Sequence, residues 1–129
     1  MPILTRDQIL ANRKPVIRRV SVPEWGGDVC IVLPNPRELE AFERHQSKLR
    51  EAGNANVGFR ARVAIMVCAT EDGARLFDAS CEAALSDDPE GVPALKRIYE
   101  FVAPLLGWGE DANEERAKNL PSGSTAGSA

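Results

Sequence analysis

The sequence predicts an α+β fold in which a short N-terminal helix and a β-hairpin pack against a small helical bundle. Three observations carry this prediction: an early stretch rich in β-branched residues, a cluster of turn formers after it, and helical spacing of apolar residues later in the chain. The 129 residues are about the length of one domain. Such a chain can bury a modest core without disulfides or a metal.

We divide the chain into a single α+β domain, residues 1–109, and a flexible polar tail, residues 110–129. From Glu110 onward the composition becomes acidic, and it then becomes small and polar up to Ala129. A segment of this kind buries too little apolar surface to offset the entropy lost on ordering. The tail is therefore expected to be disordered.

Local signals predict the N-terminal elements. Thr5 and Gln8 have the spacing of a capping box, which predicts a short helix over residues 6–11, and we expect its apolar residues to dock on the rest of the domain. Residues 16–22 alternate in the manner of a strand. The turn formers of residues 23–28 then lead into an apolar run over residues 29–33, which predicts a β-hairpin.

The middle of the chain is predicted to be mostly helical. Asn35 and Pro36 indicate the start of an amphipathic helix that continues to Ala52. The apolar run in residues 59–70 suits a buried helix or a buried strand, and its alanines favour the helix. A turn over residues 71–73 and a short extended piece follow.

Two helices are predicted in the last part of the domain. Asp78 or Ser80 can cap a weak helix that ends at Leu85, after which the connection is polar. The clearest apolar stripe of the chain then follows at helical spacing, formed by Val92, Leu95, Ile98, Tyr99, Val102, Leu105 and Leu106. Pro104 lies within this pattern, so we expect the helix to kink or to end near Phe101.

The net charge of −3 is unevenly distributed. The first twenty residues are basic, whereas residues 71–90 are acidic. Arg18 and Arg19 would point to opposite faces of a strand, which splits the basic patch. We therefore expect protein partners and no nucleic acid.

No apolar run approaches the roughly 18 to 20 residues that span a bilayer. Residues 1–10 also lack the basic start and the apolar core of a secretory leader. We expect a soluble, cytoplasmic protein that has no contact with a membrane.

The sequence predicts no catalytic residue, no cofactor and no metal site. Cys30, Cys68 and Cys81 form no CxxC pair, and His45 is near none of them, so a zinc site is not expected. The thiols are expected to fill core positions, and His45 lies within a charged helix. A small enzyme that uses Cys68 or Cys81 remains an alternative, and it would require a thiol of low pKa.

Trp25, Gly26 and Gly27 are the predicted protein contact. They lie at the tip of the hairpin, and tryptophan is enriched among residues that anchor interfaces. The alternative is that Trp25 folds back onto the core. The same alternative holds at least as strongly for Trp108, which stands between two glycines.

Several segments occur in a recognisable order. The most specific are Val-Pro-Glu-Trp-Gly-Gly at residues 22–27 and Glu-Asp-Gly-x-x-Leu-Phe at residues 71–77, with Leu-Thr-Arg-Asp-Gln-Ile-Leu at residues 4–10 and Arg-Glu-Leu-Glu-Ala-Phe-Glu at residues 37–43. With these segments the chain resembles, over residues 4–108, the tail assembly chaperones of bacteriophages with long, non-contractile tails and of related prophages. The sequence departs from that pattern between Ser80 and Val92.

The resemblance implies an α+β domain without an active site. A protein of that family binds the tape measure protein, recruits the major tail (tube) protein around it, and is absent from the finished virion. In that family a longer product is often made by ribosomal frameshifting, so a longer form of the chain is one of the expected partners. Self-association into a homo-oligomer stays open. The alternative function is a small host or prophage adaptor or regulatory module that binds proteins without catalysis.

Overall fold

The computed structural model describes residues 1–11 and 14–108, and the fold is α+β, as predicted. The tail predicted for residues 110–129 lies outside the described residues. The helices are α1 (Arg6–Leu10), α2 (Pro36–Glu51), α3 (Phe59–Val67), α4 (Glu82–Asp87) and α5 (Gly91–Val102), and the strands are β1 (Arg18–Val22), β2 (Gly27–Ile31) and β3 (Cys68–Ala69). Short 3₁₀ turns cover Pro23–Trp25, Ala79–Cys81 and Pro104–Leu106.

The predicted hairpin is confirmed. β1 pairs antiparallel with β2 from Arg18 opposite Ile31 to Val22 opposite Gly27, and β3 extends the sheet in the order β1-β2-β3. Gly26 joins the strands at a φ of 82°, a conformation that glycine adopts without steric cost.

The second strand of the hairpin lies earlier in the chain than predicted. Gly27 already pairs with Val22, and β2 stops at Ile31. The next amide, that of Val32, donates to the carbonyl of Val67 at 2.9 Å, which links the end of β2 to the end of α3. Residues 16 and 17, predicted as part of the first strand, also lie outside the ladder.

The helix starts follow from local hydrogen bonds. Thr5 and Gln8 form both bonds of a capping box at α1, and Asn35 and Glu38 do the same at α2. Residues 59–67 are helical, as favoured, and the backbone then becomes extended in β3. Asp78 caps the 3₁₀ turn that precedes α4. As a result, α4 begins and ends later than predicted.

The core lies between the sheet, α3 and α5. α3 is apolar on most sides, and α5 packs on both α3 and β1. The buried cluster consists of Val22, Val29, Ile31, Ala61, Val63, Ala64, Val67, Cys68, Leu85, Ala94, Leu95, Ile98 and Val102. The core is therefore built by residues 20–102 without the N-terminal helix.

The expectation that α1 docks on the domain is wrong. All of α1 is described, and none of its residues is buried: Ile9 is 49% exposed and Leu10 is 60% exposed. The capping bonds that form α1 are local, so they need no tertiary partner. The side chains of β1, α3 and α5 already fill the core.

The predicted stripe of α5 is wrong at its start. Val92 is 73% exposed, whereas Gly91 is buried. Buried positions run Gly91, Ala94, Leu95, Ile98 and Val102, and residue 92 lies about 100° around the helix from residue 91. A Cβ at residue 91 would approach the carbonyl oxygen of Leu85 at 3.0 Å, so a side chain at this position would crowd the backbone of α4.

A buried arginine holds α2 against α3. The Nη2 of Arg62 donates to Oε1 of Gln46 at 2.8 Å and to the carbonyl of Ala55 at 3.1 Å, and its Nη1 donates to the carbonyl of Val57. Glu82 lies 3.7 Å from the guanidinium. Among the described residues, both terminal nitrogens of this guanidinium have acceptors and its Nε has none. The bonds of the terminal nitrogens position the connection between the two helices.

We expect Arg62→Met to reduce the free energy of unfolding by about 2–4 kcal/mol, because the buried acceptors that the guanidinium served are left without a donor. Urea unfolding followed by circular dichroism measures this change. Lys96→Met is the matched control, since Lys96 is exposed on α5, and it should change the stability by no more than about 0.5 kcal/mol. Equal effects of the two substitutions would contradict the structural role of Arg62.

Candidate protein-binding site

Four aromatic side chains meet on one side of the domain. Phe42 comes from α2, Phe59 from the start of α3, Tyr99 from α5, and Trp108 follows the last 3₁₀ turn. The ring centroids of Phe42 and Phe59 are 6.0 Å apart, those of Phe42 and Trp108 are 5.9 Å apart, and those of Phe59 and Tyr99 are 5.9 Å apart. These distances are those of packed aromatic pairs.

All four rings line a surface depression of about 450 Å³. A second depression of about 480 Å³ shares Phe59 and Tyr99 with it, and we term the two, as neighbouring lobes, the aromatic groove. Phe42, Glu43, Gln46, Ser47, Arg50, Phe59, Tyr99 and Trp108 line the first lobe, and Asn56, Gly58, Phe59, Arg60, Ala61, Ser86, Leu95 and Tyr99 line the second. Each of these four residues is half-buried, so each keeps some exposed surface beside the groove.

Charged groups lie along the edge of the groove. Glu43 and Arg50 border the first lobe from α2, and the guanidinium of Arg60 lies 5.7 Å from the centroid of the Tyr99 ring. An arginine over an aromatic face is held by a cation–π interaction. The groove thus combines an aromatic floor with charges of both signs at its edge, which is typical of a protein-binding surface.

Hydrogen bonds of Arg62 hold the residues that line the groove. Gln46 lines the first lobe and also accepts the hydrogen bond of Arg62, which in turn holds the carbonyls of residues 55 and 57. Asn56 and Gly58, in the same connection between α2 and α3, line the second lobe. The Arg62 network therefore sets the distance between Phe42 on α2 and Phe59 on α3.

Trp25, the main residue of the predicted contact, is attached to the domain and does not line the groove. Its ring is half-buried against the core, and its Nε1 donates to a carboxylate oxygen of Asp88 at 2.8 Å. Next to it, Glu24 accepts from Arg97 at 2.7 Å and 2.9 Å. Gly26 and Gly27 are exposed, and a Cβ on either would meet nothing within 4 Å.

Sequence reasoning did not identify the groove. Phe42 and Tyr99 were assigned to the apolar stripes of their helices, and Trp108 was considered alone. The available signal was the scarcity of aromatic residues: the chain has only two Trp, one Tyr and four Phe. Four of these seven rings lie in the groove, although 66 residues separate Phe42 from Trp108 along the chain (108 − 42).

The side chains considered for catalysis do not form a site. Burial raises the pKa of the Cys68 thiol to about 12, so this thiol is protonated at neutral pH. Cys30 and Cys81 are free and half-buried, and His45 is exposed on α2. Within residues 1–11 and 14–108, no three metal-ligating side chains come together, and no helix has the length and apolar character needed to cross a bilayer.

No family model, curated protein or solved structure matches this chain. The family named from the sequence therefore stays a prediction.

We expect the Cys68 thiol to react with a disulfide reagent only through unfolding, because its pKa is raised and its side chain is buried. The Cys30→Ser/Cys81→Ser variant leaves it as the single thiol of the chain. Reaction in native buffer should be at least roughly 100-fold slower than in denaturant. Fast reaction of the native variant would contradict the buried state and would support the thiol-enzyme alternative.

The hydrogen bond from Arg97 holds the pKa of Glu24 below its ordinary value of 4.5, and a backbone amide acts in the same direction. Because the folded-state pKa is lowered, the carboxylate stabilises the fold fully above pH 4.5, and this contribution is lost as the pH falls through the lowered value. The urea midpoint of the unchanged chain should therefore fall more steeply below pH 4.5 than that of Glu24→Gln. Glu40→Gln, at an exposed position of α2, is the control and should follow the unchanged chain.

Proposed function

We propose that this chain is a tail assembly chaperone of a phage or prophage, which binds the tape measure protein and recruits tail tube subunits in the host cytoplasm. The observation that carries the proposal is the aromatic groove. Its four half-buried rings offer apolar contact area on one side of the domain. The order of segments over residues 4–108 supplies the family.

The groove has the properties needed to hold an apolar stretch of a helix. An amphipathic helix binds a groove through side chains spaced three and four residues apart, and aromatic walls give large contact area at low cost in side-chain entropy. Two lobes that share Phe59 and Tyr99 provide two neighbouring positions for such side chains. The charges of Glu43 and Arg50 lie where they would meet the polar flank of the helix.

The mechanism we propose is mass action. A chaperone that covers apolar stretches of the long tape measure chain lowers the concentration of aggregation-prone surface. Tube subunits then displace it because they bind the tape measure protein and one another more tightly.

The second candidate is a host or prophage adaptor that uses the same groove for a different protein. The geometry of the groove supports both candidates equally. Only the order of the sequence segments favours the chaperone. Tape measure and tail tube genes next to the coding sequence would favour the chaperone. A neighbourhood of regulatory genes would favour the adaptor.

We expect this chain to keep a co-expressed tape measure protein soluble and to co-purify with it. Trp108→Ala should weaken the complex by roughly tenfold or more, as expected for a central aromatic contact. Trp25→Phe is the matched control, because it changes the other tryptophan of the chain, which lies outside the groove. Its complex should be unaffected.

Two results would contradict the proposal. Failure of the unchanged chain to solubilise the tape measure protein of its own gene cluster would exclude the chaperone function. A complex that Trp25→Phe abolishes and Trp108→Ala leaves intact would place the contact at the hairpin tip and remove the groove from the mechanism. Circular dichroism of both variants separates these results from misfolding.

A further inference from the structure

Two opposite charges lie along the side of the first lobe that α2 forms. This side is lined by Phe42, Glu43, Gln46, Ser47 and Arg50. Counted from Glu43, the last three of them lie three, four and seven positions along the chain, which places them on one face of the helix. At a rise of about 1.5 Å per residue, Glu43 and Arg50 are roughly 10 Å apart along α2. The residues between them on this face are uncharged.

Neither of these charges has an opposite partner within the described part of the domain. Both residues are exposed, and no ion pair of residues 1–11 and 14–108 includes Glu43 or Arg50. No residue three or four positions away from either one carries the opposite charge, so α2 does not neutralise them at helical spacing. Both charges are therefore available to an incoming chain.

The second lobe adds one positive charge to the groove. Arg60 is the charged residue of its lining, and the guanidinium lies 5.7 Å from the centroid of the Tyr99 ring, which both lobes share. The lining of the whole groove thus has two cations, Arg50 and Arg60, and one anion, Glu43. A strongly basic client segment would be repelled at two places, whereas a segment that carries both signs can pair with the lining.

A helical client can match both charges of the first lobe at once. Two helix side chains seven positions apart are also two turns apart on one face, and the side chains three and four positions along lie between them on that face. A segment with opposite charges at positions i and i+7 and apolar side chains at i+3 and i+4 would therefore set its apolar pair against the rings. Its two charges would then reach the two ends of the lobe.

The order of the charges determines the direction in which the client docks. Because α2 runs from Glu43 to Arg50, a client helix antiparallel to α2 meets Arg50 first, so it needs its acidic residue at i and its basic residue at i+7. This order also stabilises the client helix itself, since a carboxylate is favourable towards the N-terminus of a helix and a cation towards the C-terminus. The opposite order would require parallel docking and would weaken the client helix.

We propose that the first lobe holds a client helix antiparallel to α2, with an acidic side chain paired to Arg50 and a basic side chain seven residues later paired to Glu43. Two apolar side chains of the client lie between them on the rings. An acidic side chain of the client that reaches the second lobe pairs with Arg60. The inference rests on the proposed function in taking the groove as the client site, and it adds the charge pattern and the direction of the client.

Two synthetic peptides of about 20 residues, long enough to be helical, test the proposal with the full-length chain. The acid-first peptide carries glutamate at i, leucine at i+3 and i+4, and lysine at i+7, and the base-first peptide exchanges the glutamate and the lysine. Fluorescence anisotropy of the labelled peptides gives the two dissociation constants. The acid-first peptide should bind the unchanged chain roughly fivefold more tightly, as expected for two exposed ion pairs.

The charge-exchanged variant Glu43→Arg/Arg50→Glu should reverse the order of the two peptides. Because the same two peptides meet both chains, any difference in their own helicity cancels in this comparison. The difference between the peptides should also shrink as the salt concentration is raised, since exposed charges are screened.

The matched control is Glu40→Arg/Arg44→Glu, which makes the same exchange on α2 at two exposed positions outside the groove. This variant should keep the preference for the acid-first peptide. Glu43→Gln and Arg50→Gln each remove one charge and should each reduce the preference, so the result does not depend on the folding of the double variant. Circular dichroism confirms that the variants are folded.

Three outcomes would overturn the proposal: no binding of either peptide to the unchanged chain, equal binding of both, or an order of affinities that the charge exchange does not reverse. A base-first preference of the unchanged chain would show parallel docking and would overturn the direction.

Co-purification of the tape measure protein is scored separately from the peptides. A reversed peptide order without a tape measure complex rejects the identity of the client alone. A tape measure complex together with peptides that bind equally well to the unchanged and the charge-exchanged chain rejects the charge pattern alone.

Discussion

The rest of the structure depends on the buried guanidinium of Arg62. Within α2, which is described throughout, only Gln46 is buried, and its partner is Arg62. Helix α2 is therefore held to α3 by polar bonds through residues 55 and 57 together with the edge of the aromatic cluster. A buried charge is costly unless it is hydrogen-bonded, and Nη1 and Nη2 of Arg62 find their acceptors only when α2 and its connection to α3 are in place. The position of this helix is therefore specific.

The two tryptophans of the chain have opposite surroundings. Trp25 uses its indole N–H on Asp88 and lies beside the Glu24–Arg97 ion pair, so the hairpin tip is anchored to the connection before α5 and to α5 itself. Trp108 packs on the rings of Phe42 and Phe59 at the edge of the core and borders an open lobe. A ring fixed by a hydrogen bond supports the fold, whereas a ring packed on other rings at an edge offers a surface for binding.

The distribution of apolar side chains separates the packed domain from its N-terminal segment. The core is closed by β1, β2, α3 and α5, and the four rings of the groove are half-buried against it. Among the described residues, seven of the eleven exposed large hydrophobic side chains lie before β1, within residues 1–11 and 14–17. The groove is thus part of the packed domain, whereas these N-terminal side chains are not.

The sequence by itself determined the features that depend on neighbours along the chain. The caps at Thr5 and Asn35 were predicted because their hydrogen bonds join residues three positions apart, and the hairpin was predicted from the turn formers between its two strands. The boundaries of β2 and α4 were predicted only approximately, since Val32 bonds to Val67 and α4 follows a 3₁₀ turn.

Only the tertiary structure decided which side chains meet. It buried Arg62, left α1 exposed, fixed Trp25 to Asp88, and brought Phe42, Phe59, Tyr99 and Trp108 together. The physical reason is that apolar burial has no direction and no sequence range. The same stripe of aromatic and aliphatic residues suits a core or an open groove until the packing of the other helices determines how much of it is covered.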